Sequence, residues 1–114
     1  MREFILVFRR DYHTEEVQPT AEQIANFLKP WQDWYSELES GGKLARPIRR
    51  LDAKGRIVFK DNVVTSGPYK EVKESIGGMI AIRAESYEEA DEIVKCCPIL
   101  QLGINVEIRI TPDL

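Results

Sequence analysis

The chain predicts an α+β fold of the ferredoxin-like, split βαβ type: an antiparallel sheet with two helices on one face and an extra β-hairpin strand in the middle. Three observations carry this. Apolar runs of strand length open the chain and recur after Gly77-Gly78, two helical-period segments each begin with a capping-box pattern, and the final segment alternates strictly between apolar and polar residues.

Phe4 to Phe8 is apolar at every position, as expected of a central strand covered on both faces. A polar loop follows, from Arg9 to Pro19. Thr20 can cap a helix and Gln23 can complete the box, after which Ile24, Phe27, Leu28, Trp31 and Leu38 recur at helical spacing to about Ser40. Pro30 should kink or divide that helix near Asn26 to Lys29, and Gly41-Gly42 should end it. Trp31, Tyr35 and Leu38 share one face, with Trp34 to its side. Leu44 to Val64 reads as a hairpin turning at Asp52-Ala53-Lys54-Gly55, with glycine supplying positive φ. Gly67-Pro68 breaks the strand, and Gly77-Gly78 opens the next one, Met79 to Ile82. Ser86 and Glu89 form the second box, and Ala90, Ile93, Val94 and Cys97 line a helix that stops before Pro98. A short second helix follows it. In the last strand Ile104, Val106, Ile108 and Ile110 face one way and Asn105, Glu107, Arg109 and Thr111 the other.

The length of 114 residues, 43% of them hydrophobic, fits one domain spanning 1–114 with a core that needs no disulfide or structural metal. Cys96 and Cys97 are neighbours whose side chains diverge, so an ordinary disulfide is excluded and a reduced, cytoplasmic setting is expected. The N-terminal apolar run stops before Arg9-Arg10, unlike a secretory leader, and no segment approaches the roughly 20 apolar residues of a membrane span. Because the first strand and the Met79 strand are apolar in both phases, the face without helices needs a cover. A second copy would supply it, which predicts a homodimer.

The block Val64-Thr65-Ser66-Gly67-Pro68-Tyr69-Lys70-Glu71-Val72-Lys73-Glu74-Ser75-Ile76-Gly77-Gly78, with Cys97-Pro98, Gly103 and the strand Val106-Glu107-Ile108-Arg109, resembles the YCII-related family, specifically its DGPF-motif branch. The resemblance implies a dimeric ferredoxin-like α/β barrel with a pocket near the subunit interface and little assigned biochemistry. It also implies a pair of acid/base residues in the wider family, a His in the first helix and an Asp before the Pro that ends the second. This chain has no histidine in the first helix and Cys97 before Pro98, and Ser66 and Tyr69 replace the motif's aspartate and phenylalanine.

Ser66, Gly67, Pro68, Tyr69 and Arg109 are therefore candidate ligand-binding residues, against the plainer reading that the motif is a turn packing Tyr69 on the core. His13, the one histidine, suits proton transfer near neutral pH, and Tyr69, Lys73 and Glu71 complete an alternative lyase- or isomerase-type acid/base set. Asp11 could orient His13 if the loop folds back; otherwise His13 is a solvated loop residue. Cys96 and Cys97 sit where the helix dipole opposes a thiolate, so buried structural thiols are expected. One His and two adjacent Cys do not make a zinc set, and no metal or cofactor is implied. Arg46, Arg49, Arg50, Lys54, Arg56 and Lys60 concentrate positive charge in a chain of net charge −3. They can guard a strand edge or attract an anion, and they lack the aromatic interleaving of a nucleic-acid surface. The reading that results is a small-ligand-binding or interaction domain taking a small organic or anionic molecule. An accessory role in transcription is implied by the resemblance alone.

Overall fold

In the computed structural model, which describes residues 1–66 and 75–112, the elements run β1 (Arg2–Arg10), α1 (Ala21–Ser40), β2 (Leu44–Arg50), β3 (Arg56–Val58), β4 (Val64–Ser66), β5 (Ser75–Ala84), α2 (Tyr87–Lys95) and β6 (Asn105–Ile110). Short 3-10 turns at Glu15–Val17 and Pro98–Leu102 precede α1 and β6. The main sheet is antiparallel in the order β2-β5-β1-β6, so each helix connects two strands with a third between them, the split βαβ plan.

The register places Phe4, Leu6 and Phe8 of β1 beside Ile82, Ile80 and Gly78 of β5 and Ile110, Ile108 and Val106 of β6 on the helix-covered face. There Phe4, Leu6, Ile80 and Ile82 are fully buried, each contributing about 1.5–3 kcal/mol of hydrophobic stabilisation. Trp34 belongs to this core rather than to its side: it is 7% exposed, and its indole N–H donates to the Ile93 carbonyl of α2 at 3.0 Å. On the opposite face Ile5, Val7, Met79 and Ala81 form a short apolar strip. Arg9 bonds to Glu107, which also holds Arg109, and Glu3 bonds to Arg46 along the flanks. Val7 and Ala81 are buried within the single chain, whereas Met79 is 38% exposed.

Thr20 and Gln23 form the expected reciprocal capping box of α1. Pro30 sits inside the helix without dividing it, and Gly41 and Gly42 close it, Gly42 at φ 70°. Ser86 caps α2 by accepting from the Glu89 amide, but the Glu89 carboxylate reaches Lys43 at 3.0 Å instead of returning to the cap.

The hairpin differs from expectation. Among the described residues β2 pairs with β5 alone, and β3 and β4 form a separate two-stranded sheet that turns between Phe59 and Val63. Asn62 takes the left-handed conformation there, at φ 64°, which asparagine tolerates; Gly55 is not at positive φ. Asp52 accepts from the Lys54 amide in a local turn, and Pro47, lacking an N–H, interrupts the β2 register between Arg46 and Arg49. β2 thus offers no continuous ladder for a returning strand. The Gly77-Gly78 pair also lies within β5 rather than at its start.

Candidate functional site

The functional geometry begins at that glycine pair. Across the helix-covered face at one end of the sheet, Phe8 of β1, Gly78 of β5 and Arg50 of β2 are in register, and the middle residue has no side chain. A Cβ on Gly78 would lie 2.8 Å from the Arg49 carbonyl oxygen, and one on Gly77 would lie 2.7 Å from the Tyr12 hydroxyl. Only glycine lets β2 and Tyr12 approach so closely. The first half of α1 passes over this bare floor without filling it: Ile24 is 42% and Leu28 50% exposed, although both lie on the apolar face expected to be core. Tertiary packing leaves a cavity of about 350 Å³ between the two.

Its walls are Phe8 from β1, Ile24, Phe27, Leu28 and Trp31 from α1, Ile48 from β2 and Leu51 just after it, and Ile99, Leu102 and Ile104 from the stretch before β6. Trp31 is the centre of the aromatic lining, edge-on to Phe8 with ring centroids 6.0 Å apart and tilted against Phe27 at 5.5 Å. Polar groups gather at the glycine end: Arg10, Tyr12 and Arg50. The Arg10 guanidinium lies 4.7 Å from the Tyr12 ring centroid and donates to the Gln18 side-chain oxygen at 3.3 Å. Gln18 is itself fixed, since its amide donates to the Asp11 and Thr14 carbonyls at 2.6 and 3.1 Å. Arg50 is exposed at the rim, and no ion pair joins it to a described carboxylate. Among the described lining residues there is no carboxylate, imidazole or thiol.

The residues singled out from sequence fall elsewhere. Gly67, Pro68, Tyr69, Glu71 and Lys73 lie outside the described residues, and Ser66 ends β4, exposed. His13 is exposed in the loop after β1; Asp11 accepts from its backbone N–H at 2.9 Å and from the Thr14 amide at 3.1 Å, so the carboxylate shapes the loop rather than steering the imidazole. Arg109 points to the helix-free face, where it and Arg9 hold the Glu107 carboxyl below its usual range, Arg9 having the larger effect. Cys97 is buried, and its burial pushes the thiol up to about 11; Cys96, expected to be buried, is exposed at the C-cap of α2. Arg10, Tyr12, Trp31 and Gly78 are not singled out by sequence reasoning. The signal that points to them is a glycine pair inside a strand pattern, which marks a close backbone approach.

No curated protein matches the chain. A solved structure of 5-chloro-2-hydroxyhydroquinone dehydrochlorinase (TftG) from Burkholderia phenoliruptrix AC1100, in complex with 2,5-dihydroxybenzoquinone, is similar over 97% of this chain and 95% of that one, with a TM-score of 0.54 and 16% identity. At that identity the likeness concerns the fold. The family model for the YCII-related domain matches residues 1–112, and with the split βαβ sheet in place the chain belongs to the YCII-related family.

Proposed function

We propose that this chain is a small-molecule-binding domain whose site is the cavity between the first half of α1 and the glycine end of the sheet. One observation carries the reading: a concave, mostly apolar space of about 350 Å³ with its polar groups gathered at one end. That volume lies at the lower end of the roughly 300–1,000 Å³ usual for ligand pockets. The TftG structure holds 2,5-dihydroxybenzoquinone, and a single substituted ring is of a size that such a cavity accommodates. The binding reading is preferred to the acid/base reading because a general base must reach its substrate, and of the side chains that serve as general acids or bases the described lining holds only the Tyr12 phenol.

We place the domain in the DGPF-motif branch and in a reduced, cytoplasmic setting, on the Ser66-Gly67-Pro68-Tyr69 block and the two free cysteines. Pairing of two copies through the Ile5, Val7 and Met79 strip is supported by the exposure of Met79. Light scattering should then give twice the mass of the 114-residue chain, and a Met79→Glu variant should scatter as a monomer. A monomeric parent protein would remove the dimer from the account.

For the cavity, titration with a panel of substituted single-ring aromatics, 2,5-dihydroxybenzoquinone among them, should shift the amide resonances of Gly77 and Gly78 and the Trp31 indole. Shifts confined to the β3–β4 hairpin or to α2, or none across the panel, would refute the assignment.

A further inference from the structure

We infer that the molecule bound here is a small aromatic acid, its ring held by Trp31 and its single negative charge by Arg50 and Arg10. This rests on the binding reading above and goes on to the chemistry of the occupant.

The charge distribution is the first support. The chain carries a net charge of −3, yet among the described residues the charged side chains at this cavity are two arginines and no acidic residue lines it. A surface rich in carboxylates would ordinarily place one beside a guanidinium. Here Glu107 neutralises Arg9 and Glu3 pairs with Arg46, whereas Arg50 has no such partner among the described residues. A site whose two arginines have no ion pair among the described residues raises the local concentration of anions and favours an anionic occupant.

Preorganisation is the second. Arg10 is not a loose surface cation: Gln18 holds it from one side and the Tyr12 ring lies against it. A guanidinium carries five N–H donors, and the Gln18 contact uses one, so donors remain for a carboxylate, which a planar fork can engage in a bidentate manner. Arg50 projects from the same side of the sheet across the bare Gly77-Gly78 floor. The two cations therefore flank one position, at the end of an otherwise apolar space.

The walls decide the body of the molecule. With Trp31 edge-on to Phe8 and tilted against Phe27, a flat ring finds offset and edge contacts, while the cavity volume limits the occupant to one or two fused rings. A phosphorylated sugar or an oligonucleotide would bring hydroxyls that these walls cannot hydrogen-bond.

The test compares 2-naphthoate with 2-naphthamide, which share shape and differ in charge, by calorimetry and by the Gly77, Gly78 and Trp31 resonances. The acid should bind about tenfold or more tightly than the amide, the scale of one charge-assisted hydrogen bond, and the difference should shrink as salt is raised. Arg50→Met, with Arg10 still in place, should narrow the preference for the acid severalfold, while Lys54→Met, which removes a cation outside the cavity, should keep the preference in full; an unchanged preference in Arg50→Met would remove Arg50 from the assignment. Arg50 is exposed, so its variant should melt with the parent. Equal affinity for acid and amide in the parent protein would overturn the charge assignment and leave the binding cavity standing. Failure of both probes to shift the cavity resonances would overturn the inference, and only a blank result across the single-ring panel as well would remove the binding reading.

Discussion

Trp34 ties the two helices together with one hydrogen bond, from its indole to the Ile93 carbonyl, inside an otherwise apolar core. Trp34→Phe keeps much of the ring but leaves that carbonyl without its donor, so stability by urea unfolding should fall by about 1–3 kcal/mol. A loss below about 0.5 kcal/mol, the level of an ordinary surface substitution, would mean that water replaces the bond. The adjacent cysteines should behave oppositely. Exposed Cys96 should react with an aromatic disulfide reagent in the native protein, while Cys97, its thiol pushed up to about 11 by burial, should react only on unfolding. A raised thiol pKa also has a sign for folding: its contribution is fully present below the ordinary 9.0 and is lost as pH rises through about 11, because the unfolded chain ionises first. The burial of Cys97 was legible from its place on the face of Ala90, Ile93 and Val94, whereas the exposure of Cys96, the cap that ends α2, was not.

At the scale of elements, the cavity exists because a helix and a sheet diverge where a strand carries two glycines. Gly78→Ala should therefore do two things. Its Cβ would press on the Arg49 carbonyl and approach the Phe8 ring, costing about 1–3 kcal/mol as overpacking does, and it would occupy the cavity floor. Aromatic ligands should bind more weakly to the folded variant than to the parent; unchanged affinity would place the binding site elsewhere. The β3–β4 hairpin contrasts with this. Among the described residues it pairs only with itself and exposes Val58, Phe59, Val63 and Val64, and an isolated two-stranded ribbon contributes little stability of its own. Replacing residues 56–66 by a short flexible linker should leave the amide exchange of β1 and β5 protected. Collapse of that protection would show that the ribbon supports the main sheet.

Across the whole molecule, ion pairs join elements distant in sequence: Arg9 of β1 with Glu107 of β6, Glu3 of β1 with Arg46 of β2, and Lys43 after α1 with Glu89 of α2. Each is partly solvated and individually weak. Their shared consequence is acid sensitivity. Arg9, chiefly, holds Glu107 below its ordinary 4.5, and the Lys43 hydrogen bond does the same for Glu89. Carboxyl groups depressed in the folded state contribute stability above 4.5, and that contribution is lost as pH falls from there through their lower folded values. The urea midpoint should decline below that pH, and Glu107→Gln should make the decline shallower. An identical pH profile for the variant would show that the Arg9 pair does not stabilise the fold.

By itself the sequence determined the element order outside the hairpin region and the two helix caps, because these depend on side chains within a few positions of one another: Thr20 with Gln23, Ser86 with Glu89, and the alternation from Ile104 to Ile110. It also carried the family likeness. Tertiary structure alone decided the partner of β2, the burial of Trp34 and the placement of the cavity. Whether β2 pairs with β3 or β5 is a competition between distant segments, and local turn chemistry at Asp52 to Gly55 does not settle it. The same holds for Arg10 and Arg50, forty positions apart in the chain, which flank one site only because β5 lies between their strands and Gly77 and Gly78 leave room there.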